Sequence, residues 1–67
     1  MKYTITQVRE EGFIPCYIPF GDLETNDIEN DMQSFAEWLG ETASYSLEKM
    51  NVKDDYGNEF KFEKVKS

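Results

Sequence analysis

Hydrophobic residues along this chain follow two different spacings. Between Ile28 and Ala43 they recur every three or four positions, which is typical of a helix with one apolar face. Strand-like runs occupy residues 2–9 and 13–20 before it. Two further runs, 47–53 and 59–65, flank a predicted turn at 54–58, DDYGN, in which Gly57 or Asn58 can take a positive φ. These spacings predict an α+β fold of β-β-α-β-β order, in which one amphipathic acidic helix packs on one face of a small antiparallel sheet.

The predicted helix has a start signal and an ambiguous end. Asn26, followed three residues later by Glu29, forms a capping-box-like start. Gly40 either closes the helix or is tolerated within a longer one, because apolar residues prolong the stripe as far as Met50. An end between Gly40 and Ser44 is favoured. We expect the following stripe to be buried against the sheet: Ile28, Met32, Phe35 and Leu39.

Residues 13–20, FIPCYIPF, predict a strand that can pair on one side only. Pro15 and Pro19 lie four residues apart and remove amide donors from the same side of a strand. The segment is therefore an edge strand hairpinned to the first strand, or an extended arm, and the strand order is otherwise open. Cys16 is expected to be buried in its apolar face as a packing residue without chemistry.

Length and composition indicate one folded domain over residues 1–67, since a chain this short supports a single core and carries ten aromatic residues. One cysteine cannot form an intramolecular disulfide, which favours a reducing compartment. The sequence has no apolar run of membrane-spanning length and no apolar segment of a signal peptide at its start. We expect a cytoplasmic protein that does not bind membranes and is a monomer or small homo-oligomer.

Charge is strongly segregated along the chain. The net charge is −7, and residues 10–48 contain ten acids and no lysine or arginine. All seven bases lie in residues 2–9 and 49–66. This distribution disfavours direct binding to nucleic acid or to anionic membranes, and it favours basic partners.

Catalytic and metal-site signatures are missing from the sequence. There is no histidine, no zinc-ligand spacing and no glycine-rich phosphate loop, so we expect no enzyme, no cofactor and no metal. Asp22, Glu24 and Asn26 alternate as in a calcium loop. However, Asp27 stands at the position that requires glycine, and Gln33 stands at that of the bidentate glutamate.

The predicted helix and its lead-in, residues 22–41, form the candidate site. They hold seven acids, no base and the chain's only tryptophan. A half-exposed tryptophan within a patch of one sign is a candidate anchor for a basic partner, because tryptophan is enriched in binding hot spots. The predicted partner-binding residues are Asp22, Glu24, Asp27, Asp31, Glu37, Trp38 and Glu41.

If helical throughout, residues 22–41 carry about one acid per 4 Å, close to the one phosphate per about 3.4 Å of a single nucleic-acid strand. In size, charge and single-domain economy the chain resembles the small acidic anti-CRISPR and anti-restriction proteins of phages and mobile elements. That resemblance implies a DNA mimic occupying a basic nucleic-acid-binding surface of a host complex. The alternative is a non-catalytic adaptor or structural protein that binds through its sheet edge.

Overall fold

The computed structural model describes residues 1–66, which form five strands and one helix. All the strands belong to one antiparallel sheet in the order β2-β1-β5-β4-β3. The predicted α+β class, one helix with a small antiparallel sheet, is confirmed. The elements in chain order are β1 (Lys2–Glu11), β2 (Ile14–Glu24), α1 (Ile28–Leu39), β3 (Ser44–Ser46), β4 (Asn51–Lys53) and β5 (Glu59–Lys64).

The structure has one strand more than the sequence predicts. Residues 44–46 form β3, which pairs with β4. Residues 47–50, predicted as strand, instead form the turn between β3 and β4, in which Ser46 Oγ accepts a hydrogen bond from the Lys49 backbone N–H at 3.2 Å. The strand β3 could not be predicted from the sequence, because its one apolar residue, Tyr45, lies between two serines and the segment is too short to show an alternating pattern.

The N-cap of α1 lies one residue after the predicted cap, and the helix ends at Leu39 with Gly40, the first residue of the favoured range, as its C-cap. The N-cap is Asp27 rather than Asn26, and its side chain accepts a hydrogen bond from the Asn30 backbone N–H at 3.2 Å. Asp27 is itself positioned by Thr25, whose Oγ1 accepts from the Asp27 backbone N–H at 3.0 Å. Gly40 caps the C-terminal end with a φ of 150°, a conformation that glycine adopts readily.

The hydrophobic core lies between α1 and the middle of the sheet, and it buries Ile5, Met32, Ala36, Val52, Phe60 and Phe62. Within the predicted apolar stripe, Met32 is fully buried. Ile28, Phe35 and Leu39 are only half-buried, so the expected burial of the whole stripe is wrong. The reason is the position of the helix: its backbone lies closest to β3 and β4, and it reaches β5 and β2 through side chains such as Phe35. Its flanks are therefore partly open.

The strand β2 lies at an edge of the sheet, as its prolines predict. Its pairing with β1 is irregular at one place, where Ile5 is opposite Gly21 and Thr6 is opposite Pro19, so that Phe20 is an extra residue in β2. Cys16 is half-buried, so its expected full burial is wrong. No element of the fold packs over this part of β2, which leaves the cysteine partly exposed.

The turn between β4 and β5 is held by one carboxylate. Asp54 Oδ1 accepts hydrogen bonds from the backbone N–H groups of Tyr56, at 2.9 Å, and Asn58, at 3.0 Å. Its Oδ2 accepts a third from the Asn58 side-chain amide at 2.9 Å. Gly57 supplies the positive φ, 87°, that the turn requires. The side-chain hydrogen bond from Asn58, together with those from the backbone, holds the pKa of Asp54 below its ordinary value.

This turn gives a pH-dependent contribution to stability. Because the folded-state pKa of Asp54 is depressed, the stabilisation is complete above the unfolded-state pKa of about 4 and is lost as pH falls through the folded-state value. The Asp54→Ala variant is expected to have a lower thermal unfolding midpoint than wild type at pH 7, and the difference between the two midpoints is expected to shrink in strong acid. Thermal unfolding of both proteins across this pH range, followed by circular dichroism, tests the expectation. A difference in midpoint that does not change with pH would contradict it.

Candidate functional site

Trp38 is the outermost member of an aromatic cluster that begins in the core. Its side chain is 68% exposed, and its ring centroid lies 5.4 Å from that of Phe35 and 6.4 Å from that of Phe20. Phe20 and Phe35 in turn lie 5.0 and 4.9 Å from the buried Phe60. Trp38 is therefore positioned by packing on one side while most of its surface is free to contact a partner.

Two of the predicted acids lie on the same side of α1 as Trp38. Asp31 precedes Trp38 by seven residues, or about two helical turns, and Asp27 caps the same helix. Asp31 is half-buried rather than facing solvent. Asp27 has a structural role as the N-cap, so its substitution would disturb the helix as well as any partner contact.

Glu37 and Glu41 lie on another side of the helix, towards β3. They border a shallow concavity between α1 and β3 whose lining includes Ala36, Ala43 and Tyr45. Both carboxylates are exposed and lie at the C-terminal end of α1, where the last turn contains no base. Negative charge there interacts unfavourably with the helix dipole. These two acids therefore do not contribute to helix stability.

Asp22 and Glu24 belong to β2 and not to a helical lead-in. Leu23 between them packs against the core. Because side chains alternate along a strand, Asp22 and Glu24 point to the sheet face opposite the helix. The seven predicted residues thus form three groups: one on β2, one beside Trp38, and one facing β3.

A second exposed feature was not predicted from the sequence. Ile14 is 71% exposed, and Ile18 and Phe20 are also exposed on the same strand. The sequence does contain one sign of this exposed feature: the apolar residues of β1, β2, β4 and β5 require more covering surface than one helix of about three turns offers. The sequence places an apolar face on β2, and the structure shows that this face is uncovered.

The described residues also limit the chemistry of the site. Across residues 1–66, no group of three or more histidine, cysteine, aspartate or glutamate side chains is arranged to hold a metal ion. Within the same residues no helix has the length and apolar character needed to cross a membrane.

Hydrogen bonds of the helix acids go to neutral groups. Glu29, which is not among the predicted partner-binding residues, accepts from the Tyr45 hydroxyl at 3.4 Å, and Asp27 accepts from a backbone amide.

Comparison with protein-family models, with curated proteins and with solved structures found no match to this chain.

Proposed function

We propose that this protein is a stoichiometric inhibitor that occupies a basic nucleic-acid-binding surface of a host complex by imitating a nucleic-acid strand. The acids on the outer sides of α1 supply the negative charge, and Trp38 supplies an apolar anchor. A phage or mobile element acting against host defence, in the host cytoplasm, is the setting that such a protein fits. The observation that carries the proposal is the exposed Trp38 on a helix whose charged side chains are all acidic.

Charge density along the helix supports this proposal. Residues 27–39, the N-cap and the helix, contain four acids and no base, and at 1.5 Å per residue they extend over about 20 Å. The resulting spacing of about 5 Å per charge is of the same order as that of a single nucleic-acid strand, about 3.4 Å. Asp22 and Glu24, on the opposite sheet face, are not needed for this estimate.

The cost of Glu37 and Glu41 to the helix also supports it. A base at either position would favour the helix dipole, and each such change is worth about 0.3 to 1 kcal/mol at an exposed site. Surface helices also gain from oppositely charged pairs four residues apart, and α1 has none because it has no base. Acids kept where stability disfavours them are the expected result of a binding role.

The alternative, an adaptor that adds a strand to its sheet edge, is disfavoured at β2. Proline has no N–H, so the alternate residues Cys16 and Ile18 are those that can donate to β1. Pro15, Tyr17 and Pro19 then direct their backbone groups to the free edge, where Tyr17 has the one N–H among the three. A strand added there would receive few hydrogen bonds.

Affinity capture from a bacterial lysate tests the proposal. The immobilised protein is expected to retain a nucleic-acid-binding protein or complex that is released by added DNA and by raised salt, because charge attraction between exposed groups is screened within about 10 Å at 0.1 M salt. A matched column carries the Glu37→Lys, Glu41→Lys variant. Retention of the same proteins on both columns, or release by neither DNA nor salt, would argue against mimicry.

A further inference from the structure

One face of the sheet is covered over only part of its width. The helix α1 packs over β3 and β4, whereas β2 lies at the far end of the strand order. With strands about 4.8 Å apart, β2 lies roughly 14 Å from β4, and a helix with its side chains is about 10 to 12 Å across. The helix reaches β2 at Phe20, which contacts Phe35 and Trp38. It leaves the preceding part of the strand uncovered, where Ile14 is 71% and Ile18 37% exposed.

Apolar side chains line this open part of the sheet. Gln7 is opposite both Ile18 and the core residue Phe60, so Ile18 lies on the helix side of the sheet. The residues of β2 with this orientation, called here the β2 row, are Ile14, Cys16, Ile18 and Phe20. Residues 14–20 extend over about 20 Å at 3.3 Å per residue, and Trp38 of α1 borders the row where it contacts Phe20.

We infer that the β2 row and Trp38 form a docking site for an amphipathic α-helix of the partner, which lies on the sheet beside α1 and carries basic residues on its flanks. A second helix packed 8 to 10 Å from α1 would lie over this part of the sheet. The row matches the length of about 13 helical residues. The basic character of the partner in this inference rests on the proposed function.

Two other occupants fit the surface less well. A strand would have to pair at the β2 edge, where Pro15 and Pro19 remove donors. A second copy would bring its own net charge of −7 against the same charge. Its helix could not fill the site either, because the outward side of α1 presents Asn30, Ser34 and Glu37 rather than a second apolar face.

Charge complementarity selects a basic helix. Neither β2 nor α1 contains lysine or arginine. Asp31 lies on the Trp38 side of α1, and Glu11 is opposite Ile14 at the other end of the row. Arg9, opposite Cys16, lies on the same sheet face as Glu11, which offsets its charge, whereas Glu10 points to the other face. Basic side chains on the flanks of a docked helix would therefore meet carboxylates at both ends of the row.

Three synthetic 14-residue peptides, added to the purified protein, test the inference. The first has leucine at helical spacing and lysine elsewhere; the second has the same composition at alternate spacing; the third has glutamate in place of lysine. Trp38 is the only tryptophan, so its fluorescence reports burial directly. The first peptide is expected to bind saturably with a blue shift, and the other two more weakly by about tenfold or more.

Paired variants locate the binding site. Ile14→Ser with Ile18→Ser is expected to weaken the first peptide about tenfold or more, because two apolar contacts are lost. Tyr56→Ser, at an 81% exposed aromatic in the β4–β5 turn, is the matched control and should bind as wild type does. Circular dichroism checks that both variants are folded. Unchanged binding in the double variant would overturn the inference.

The other outcomes are equally decisive. Stronger binding of the alternate-spacing peptide would indicate strand addition, and equal binding of the glutamate peptide would remove the charge argument. A blue shift that grows with protein concentration alone, together with a dimer in sedimentation, would identify a second copy as the occupant. If the captured partner depends on Glu37 and Glu41 but not on the β2 row, the proposed function stands and this inference fails.

Discussion

Phe60→Ala is expected to cost about 3 to 5 kcal/mol of unfolding free energy, as truncation of a buried aromatic does. Phe60 is nearly inaccessible in the centre of the sheet, and its ring centroid lies 4.9 Å from that of Phe35 and 5.0 Å from that of Phe20. At 0.05 to 0.15 kcal/mol per residue, a chain of 67 residues has a total stability of about 3 to 10 kcal/mol. The substitution should therefore unfold much of the population at 25 °C.

Urea denaturation followed by circular dichroism measures this effect. Tyr56→Ala removes an exposed aromatic from a turn and is the control, with an expected change within about 0.5 kcal/mol. Equal midpoints for Phe60→Ala and wild type would mean that the cluster linking α1 to β2 and β5 is not the core of the fold.

Reversing the two acids at the C-terminal end of α1 is expected to abolish partner binding without loss of stability. Glu37→Lys with Glu41→Lys changes the net charge from −7 to −3, since each reversal adds two units to the wild-type value. Both side chains are exposed, and lysine at this end of a helix interacts favourably with its dipole. The variant should therefore unfold at or above the wild-type temperature, so that lost binding cannot be attributed to unfolding.

A matched control separates the effect of Glu37 and Glu41 on binding from the effect of the net charge of the protein. Asp55→Lys with Glu63→Lys makes the same change in net charge at two exposed positions outside residues 10–48. It should retain most of the affinity for the captured partner in calorimetric titration. Equal losses in the two double variants would mean that overall charge, and not the outer surface of α1, determines binding.

The element types and the edge position of β2 could be predicted because each has a local cause. The helix follows from apolar spacing, the edge strand from Pro15 and Pro19, and the β4–β5 turn from the DDYGN sequence, in which Gly57 takes the positive φ. Each of these signals lies within a few residues of the element it determines. The exact N-cap was missed because Asn26 and Asp27 are both good caps, and the choice between them depends on hydrogen bonds that sequence does not show.

The arrangement of the candidate site could not be predicted, because it depends on where α1 lies on the sheet. In the sequence, Asp22, Glu37 and Trp38 all belong to one stretch without a base. In the structure, Asp22 lies in β2 and points to the sheet face opposite the helix. Exposure of the β2 row has the same origin: alternation identifies an apolar face, but only packing decides whether it is covered. Side-chain alternation along β2 determines the first result, and the offset of α1 towards β3 and β4 determines the second.

The most direct test of the mimicry proposal is the dissociation constant of the captured partner, measured at 50 and 200 mM salt with and without competing single-stranded DNA. Mimicry predicts an affinity that falls steeply with salt, because the attraction between exposed charges is screened, and a site from which DNA displaces the protein. It also predicts that the Glu37→Lys, Glu41→Lys variant shows no measurable binding at either salt concentration. An affinity that is unchanged by salt and unaffected by saturating DNA would contradict it.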